Sequence, residues 1–227
     1  MPGFLRARTI VVVGLLCVAA GPLSAQGGFT PGKRTLFSLD LKGTEVGELP
    51  KGIKLLKGSL TVADKDGEHM MMTAEQTEFL VSFSETLPAD FTVEIDIIPR
   101  ACNCLPADLM FEGTISRSRS ASSAEIEWMK GKLSVIGGGQ HVQEPMSQDL
   151  YEALAGNLTE IGASFDGTKF TIVTNGKTLF TDPSRKFVRG RSIRFTVVGQ
   201  DEHENAMYIA RLRIATNSPP PSPKPGA

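Results

Sequence analysis

Aromatic side chains that could stack on a base or a sugar ring are scarce. The chain has one Trp and two Tyr in 227 residues. Its formal net charge is −1, and the basic run Arg185–Arg194 contains a single aromatic residue, Phe187. Nucleic-acid binding uses cations to hold phosphates and rings to stack on bases. We therefore expect no nucleic-acid partner.

Long apolar runs are also missing. The run Ile10–Ala20 is too short to cross a bilayer, so we expect no transmembrane span. It follows two arginines and precedes small residues that end at Ala25, which is the pattern of a secretory signal peptide. We predict that residues 1–25 are removed, that 26–32 form a linker, and that the mature chain is secreted or periplasmic.

Cysteine is nearly absent from the predicted mature chain. Of three cysteines, Cys17 lies in the signal peptide, which leaves Cys102 and Cys104. In an oxidising compartment two cysteines this close can pair and close a small strained ring. A zinc site needs about four ligands, and the three histidines lie far away in the sequence. We predict a Cys102–Cys104 disulfide, with two unpaired thiols as the alternative.

Short β-strands separated by turn residues fill the rest of the chain. The dipeptides Asp166-Gly167 and Asn175-Gly176 are each typical of a two-residue type I′ turn, so 162–180 predicts strand, turn, strand, turn and strand. We predict one short helix at 147–154 and an extended Pro-rich tail at 217–227. Further strands are predicted at 35–41, 59–64, 69–74, 77–83, 91–98, 108–114, 124–129, 132–137, 192–199 and 207–215.

Strand 91–98 shows the clearest alternation. Phe91, Val93, Ile95 and Ile97 share one face, and the polar residues between them share the other. This pattern is typical of an antiparallel sheet with one buried face and one solvated face. We therefore expect an all-β sandwich, with Glu94 and Asp96 on its wet surface.

Three stretches resemble the concanavalin A-like lectin/glucanase superfamily, particularly its laminin-G-like domains. They are "LPADFTVEIDIIP" (87–99), "LTEIGASFDGTKFTIVTNGKTL" (158–179) and "NAMYIARLRIA" (205–215). The resemblance spans about residues 33–216 and implies an all-β, two-sheet antiparallel jelly-roll sandwich. It also implies that sugars or protein partners bind on a concave sheet face or on the rim loops.

The segment "EIDIIP" (94–99) bears on catalysis. Laminarinase-type glycosidases of this superfamily carry a Glu-x-Asp-x-Glu or Glu-x-Asp-x-x-Glu strand, and here Glu94 and Asp96 match the nucleophile and its helper. The acid/base position falls on Ile98 or Pro99, and neither side chain can donate a proton. Because a retaining glycosidase needs both carboxyl groups, we predict that the chain is not an enzyme. A hydrolase built on Glu94 and Asp96 is the alternative.

Two other groups are candidate sites. Carboxylates and an indole ring on one predicted strand could contact a ligand: Glu125, Glu127 and Trp128. An oxygen-rich loop could hold Ca²⁺, the one cofactor that we consider, or could be a solvated acidic turn: Asp201, Glu202, Glu204 and Asn205.

Taken together, these features predict a secreted, non-enzymatic binding module for a glycan or an extracytoplasmic protein. A purely structural envelope domain is a further alternative to the hydrolase.

Overall fold

The computed structural model describes residues 29–73, 76–98, 107–112, 123–129, 132–137, 140–145, 157–182, 189–198 and 206–221. Within these ranges every regular secondary-structure element is a β-strand. The strands are β1 (Arg34–Ser38), β2 (Ile53–Lys57), β3 (Leu60–Lys65), β4 (Glu68–Thr73), β5 (Thr77–Ser82), β6 (Asp90–Ile98), β7 (Ala107–Glu112), β8 (Ser123–Met129), β9 (Lys132–Gly137), β10 (Gln140–Pro145), β11 (Thr159–Asp166), β12 (Phe170–Thr174), β13 (Lys177–Asp182), β14 (Ser192–Val198) and β15 (Met207–Thr216). The predicted helix at 147–154 lies outside the described residues. No helix long and apolar enough to cross a membrane occurs in the described ranges.

The strands form two antiparallel sheets. The first sheet has the order β13-β12-β11-β6-β15-β4-β3, and β1 also pairs with β15. The second sheet has the order β10-β9-β8-β7-β14-β5-β2. This arrangement confirms the predicted all-β, two-sheet jelly-roll sandwich.

The hydrophobic core lies between the two sheets. Phe91, Val93, Ile95 and Ile97 all belong to it, which confirms the inward face predicted for β6. Strands of the second sheet contribute Phe79 and Phe195, whose stacked rings have centroids 5.2 Å apart. The core thus uses the period-two alternation that the sequence shows.

The turn after β12 is the predicted two-residue type. Asn175 and Gly176 have φ of 46° and 78°, and Thr174 pairs with Lys177 on either side of them. Both turn residues are therefore left-handed, as a type I′ turn requires.

The turn after β11 is different, so the two-residue prediction there is wrong. The last ladder pair is Phe165 with Phe170, and of the two predicted turn residues only Gly167 has a positive φ, 93°. The Asp166 carboxylate accepts hydrogen bonds from the backbone N–H of Thr168 at 3.1 Å and of Lys169 at 2.7 Å. These bonds stabilise a longer, four-residue loop.

Strands β2 and β10 were not predicted from the sequence. They are the two ends of the second sheet, so each pairs with one neighbour only. An edge strand has less need of an alternating apolar face, and neither "IKLLK" nor "QHVQEP" shows a clean alternation.

Candidate functional site

Glu94 and Asp96 lie on the face of the first sheet that points away from the core. They are only 2% and 6% exposed, so the prediction of a wet face is wrong. Side chains of β15 and the chain before β1 cover this outer face, so seven of the nine β6 residues are buried.

Two arginines of β15 neutralise these carboxylates. Arg211 donates from Nε and Nη2 to both oxygens of Asp96, at 2.7 and 2.9 Å, and from Nη1 to Glu94 Oε2 at 3.2 Å. Arg213 Nη1 donates to Glu94 Oε1. Each carboxylate oxygen therefore has a guanidinium donor. We call Glu94, Asp96, Arg211 and Arg213 the carboxylate–arginine cluster.

The cluster also affects the protonation of Arg211. Burial of the guanidinium lowers its pKa, but the hydrogen bond to Asp96 and the charges of Asp96, Glu94 and Glu160 raise it by more. The net result is a pKa above the ordinary value of arginine, which favours the cation that the two carboxylates require.

A β-bulge in β15 positions both arginines. Ile209 lies opposite Ile97 and Arg211 lies opposite Asp96, so Ala210 is an extra residue. The bulge shifts the alternation of β15 by one position. Met207 and Ile209 before it, and Leu212 and Ile214 after it, all enter the core. If Ala210 were instead paired in a regular ladder, the two arginines would point into the core.

The chain before β1 covers the cluster. Phe29 is 1% exposed and packs with Val173, and a Cβ added to Gly162 would lie 3.0 Å from three of its ring carbons. The Gly32 N–H donates to Thr92 Oγ1 at 3.0 Å, and its carbonyl accepts from Arg213 Nη2 at 2.7 Å. We call residues 29–33 the N-terminal strap. Packed residues therefore begin before position 33, the predicted start of the sandwich.

Comparisons with known proteins show the fold. No known protein family and no curated protein matches the chain. A GH16 protein of the Bacteroides ovatus mixed-linkage glucan PUL, in complex with a product, is 13% identical with a TM-score of 0.58 and covers 79% of this chain and 99% of its own. A botulinum neurotoxin serotype D binding domain is 10% identical with a TM-score of 0.57.

This chain spans 49% of the length of that neurotoxin chain and 48% of the neurotoxin DC binding domain, which is in complex with SialylT and has a TM-score of 0.53. The fold is concanavalin A-like. At these identities the likeness concerns the sandwich alone.

In this concanavalin A-like fold, the predicted ligand-binding group lies on another sheet. Glu125, Glu127 and Trp128 are on β8 of the second sheet, whereas Glu94 and Asp96 are on β6 of the first. The structure therefore does not bring the two acidic pairs together on one sheet face.

Two predicted groups lie outside the described residues. They are the calcium loop at 201–205 and the Cys102–Cys104 disulfide. Across the described part of the chain, no group of three or more His, Cys, Asp or Glu residues is arranged to hold a metal ion.

The sequence reasoning missed Arg211 and Arg213 as partners of the acidic pair. One local signal was available in "MYIARLRIA", because its large aliphatic side chains are at odd-numbered positions up to Ile209 and at even-numbered positions from Leu212. Such a slip in the period of two is typical of a bulge. It would have placed both arginines on the outer face, but not next to Glu94 and Asp96.

Proposed function

We propose that this chain is a non-enzymatic binding module that recognises a glycan or a protein outside the cytoplasm. The observation that carries the proposal is the carboxylate–arginine cluster. The two residues that match a glycosidase nucleophile and its helper are used in structural ion pairs.

Hydrolysis would require these carboxylates to be free. A retaining glycosidase attacks the sugar with one carboxylate and protonates the leaving group with a second, about 5 Å away. Here the Glu94 oxygens are bonded to Arg211 and Arg213, and Ile98 at a family acid/base position is an alkyl side chain. Freeing Glu94 while it stays buried would cost about 3–5 kcal/mol.

The same outer face keeps a surface that suits recognition. Tyr208 is half-buried on β15, next to Met72 of β4 and Ile98 of β6, and Lys65 Nζ lies 6.0 Å from the centre of its ring. An aromatic ring covers the C–H face of a sugar, while neighbouring polar groups bond its hydroxyls. Lys65 supplies such a group beside the ring, and half-buried Glu160 lies on β11, opposite Asp96 of β6.

Two further points support the proposal. The predicted signal peptide favours an extracytoplasmic location. Chains of similar fold include the neurotoxin binding domains, one of them in complex with SialylT. The GH16 protein of similar fold is the reason to keep the hydrolase as the second candidate and to test it directly.

The test is electrophoresis of residues 26–227 through gels that contain different polysaccharides, with a reducing-sugar assay on the same mixtures. We expect retarded migration in at least one polymer, weaker retardation for Tyr208→Ala, and no release of reducing sugar. Leu56→Ala, an exposed change on the second sheet, is the control.

Release of reducing sugar by the wild type that disappears in Glu94→Gln would overturn the non-enzymatic proposal. If no polymer retards migration, the proposed ligand is not a glycan, and the proposal is then limited to a protein partner. A pull-down with the mature chain would then test the protein partner.

A further inference from the structure

A pocket of about 600 Å³ opens at one rim of the sandwich, and no residue of the carboxylate–arginine cluster lines it. It lies between the β5–β6 loop, the residue before β14 and the chain that follows β15. This volume is within the range of small-ligand sites, about 300–1,000 Å³. We call it the rim pocket; its lining includes Arg34, Ser84, Glu85, Pro88, Arg191 and Pro219.

Hydrogen bonds hold both walls of the rim pocket in place. Asp90 accepts from the Ser218 hydroxyl and from the Asn217 N–H at 3.1 Å, and Arg34 Nε donates to the Ser218 carbonyl at 3.1 Å. On the other side, Arg191 Nη2 donates to the Ser84 carbonyl at 2.7 Å. A ligand would therefore meet a preformed site, which limits the entropy lost on binding.

The charged side chains among the described residues that line the rim pocket are two arginines and one glutamate. Arg34 Nη2 lies 2.6 Å from Glu85 Oε1 as an ion pair, although this oxygen makes no hydrogen bond. Arg191 is exposed, and no carboxylate of the described residues lies within 4.0 Å of it. Nη2 has a second N–H beside the one used by Ser84, and Nε and Nη1 also remain to donate. One edge of the guanidinium, formed by Nη2 with Nε or with Nη1, can therefore hold a carboxylate in the planar fork that matches it.

Much of the remaining pocket wall is apolar. Pro88, Ala89, Pro219 and Pro221 contribute to it, beside three hydroxyl side chains, and none of the described lining residues is aromatic. Proline rings offer a fixed surface of C–H groups that a pyranose ring can contact. A small inorganic anion would use the guanidinium but would leave this wall uncovered.

We propose that the rim pocket binds a carboxylated sugar unit, such as a uronic acid, with its carboxylate on Arg191 and its ring against the prolines. This inference rests on the proposed binding function and names its ligand class. The inference assigns two separate surfaces to the glycan. The rim pocket binds its charged sugar unit, and the sheet face around Tyr208 stacks on other sugar rings of the same polymer.

The test is an NMR titration of isotope-labelled residues 26–227 with D-galacturonate, D-galactose and acetate. We expect saturable shifts with galacturonate and at least tenfold weaker binding of the other two compounds. Arg191→Met should weaken galacturonate binding about tenfold or more, because a charge-assisted hydrogen bond is lost. Arg191→Lys keeps the charge but loses the fork, so its affinity for galacturonate should lie between that of the wild type and that of Arg191→Met.

Ala89→Phe is a second variant that keeps every charge and fills the pocket. Ala89 is exposed and makes none of the wall hydrogen bonds described above, so the fold should be retained, which a thermal unfolding curve checks. It should also weaken galacturonate binding about tenfold or more. Lys51→Met, an exposed change outside the pocket, is the matched control.

Three outcomes would overturn the inference. They are equal binding of acetate and galacturonate, absence of galacturonate binding, and binding that neither Arg191→Met nor Ala89→Phe weakens. If one of these outcomes is found while polymers still retard migration in a Tyr208-dependent way, only the rim-pocket inference has failed. If reducing sugar is released in a Glu94-dependent way, the proposed function itself has failed.

Discussion

The Glu94 side chain is only 3% exposed, and it contacts the guanidinium groups of two arginines. A buried carboxylate is tolerated only when its charge and its oxygens are satisfied. Arg213 donates to one oxygen of the Glu94 carboxylate and neutralises its charge. The same guanidinium donates to the Gly32 carbonyl and so links Glu94 to the N-terminal strap. The residue that the sequence suggested for catalysis is therefore a residue on which stability depends.

Replacing Arg213 tests this role. We expect Arg213→Met to lower the free energy of unfolding by about 3 kcal/mol, because Glu94 would stay buried with half of its partners. Urea unfolding at neutral pH measures the loss.

The double variant Glu94→Gln/Arg213→Met is the control for charge. It should recover part of the loss, since a neutral amide needs no counter-ion. An equal loss in the single and double variants would contradict the ion-pair role.

Asp166 provides a pH-dependent test. Hydrogen bonds from the backbone N–H groups of Lys169 and Thr168 lower the pKa of its carboxyl. A carboxyl whose pKa is lower in the folded state adds stability above its unfolded pKa and loses that contribution as the pH falls through the folded pKa. We expect Asp166→Ala to be less stable than the wild type at pH 7, with a difference that shrinks below about pH 4.

Thermal unfolding of both proteins across this pH range makes the comparison. A stability difference that stayed constant down to the lowest pH at which both proteins fold would show that the carboxylate charge is irrelevant. Glu45→Ala, an exposed carboxylate in the loop before β2, is a suitable control.

Among the elements, β15 depends most on a local irregularity. Its bulge at Ala210 lets one strand place apolar residues in the core on both sides of the irregularity and arginines on the outer face. A regular strand of this sequence that kept Met207 and Ile209 in the core would also bury the two arginines, and one that kept Leu212 and Ile214 there would lose Met207 and Ile209. The bulge therefore makes the end of the chain compatible with the sandwich.

Deleting Ala210 should be tolerated. In the deletion variant Arg211 follows Ile209 directly, so both arginines still face outward and the apolar residues after them still enter the core. Inserting a second alanine after Ala210 should instead turn the two guanidiniums toward the core, at a cost comparable to the whole stability of a domain, about 5–15 kcal/mol. We expect the insertion variant to give little soluble protein and no near-UV circular dichroism, whereas the deletion variant should fold. An unfolded deletion variant together with a well-folded insertion variant would contradict this role of the bulge.

The N-terminal strap depends on one glycine of β11. A Cβ at Gly162 would press on the Phe29 ring, so Gly162→Ala should destabilise the protein by about 1–3 kcal/mol. In a Phe29→Ala background the same change should cost much less, since the ring is gone. Urea unfolding of the four proteins completes this double-mutant cycle. Additive effects would mean that Phe29 does not pack on Gly162.

At the scale of the whole molecule, both ends of the described chain seal the first sheet. The strap covers β6, while Asn217 and Ser218 bond to Asp90 at the start of that strand. Strand β1 then pairs with β15, which joins the two ends of the domain. Pairings between distant parts of the chain raise the contact order, which slows the folding of β-sandwiches.

Shortening the chain tests how far the packed domain extends. We expect residues 33–216, the predicted sandwich alone, to be less stable than residues 26–221 by at least about 3 kcal/mol, the typical cost of losing a buried Phe. Residues 26–221 should match 26–227. Equal stability of the shortest and longest chains would mean that the strap and residues 217–221 contribute nothing.

Strand positions were largely predictable. Strand β9 was predicted at its observed bounds, and β8 and β14 differ from prediction by one residue. Alternation and turn residues act over a few positions, so one sequence suffices to read them. The edge strands β2 and β10 lack this local signal, and the Asp166 loop was misjudged because a side-chain hydrogen bond outweighed the turn preference of Asp-Gly.

The local pattern of the chain specified a β-sandwich and drew attention to Glu94 and Asp96. It left open what these carboxylates do, since Arg211 is 115 residues from Asp96 along the chain. Their pairing depends on β6 and β15 being neighbours and on the bulge that turns the arginines outward. Sheet order and register involve the whole chain, and for that reason the burial and neutralisation of the acidic pair became visible only in three dimensions.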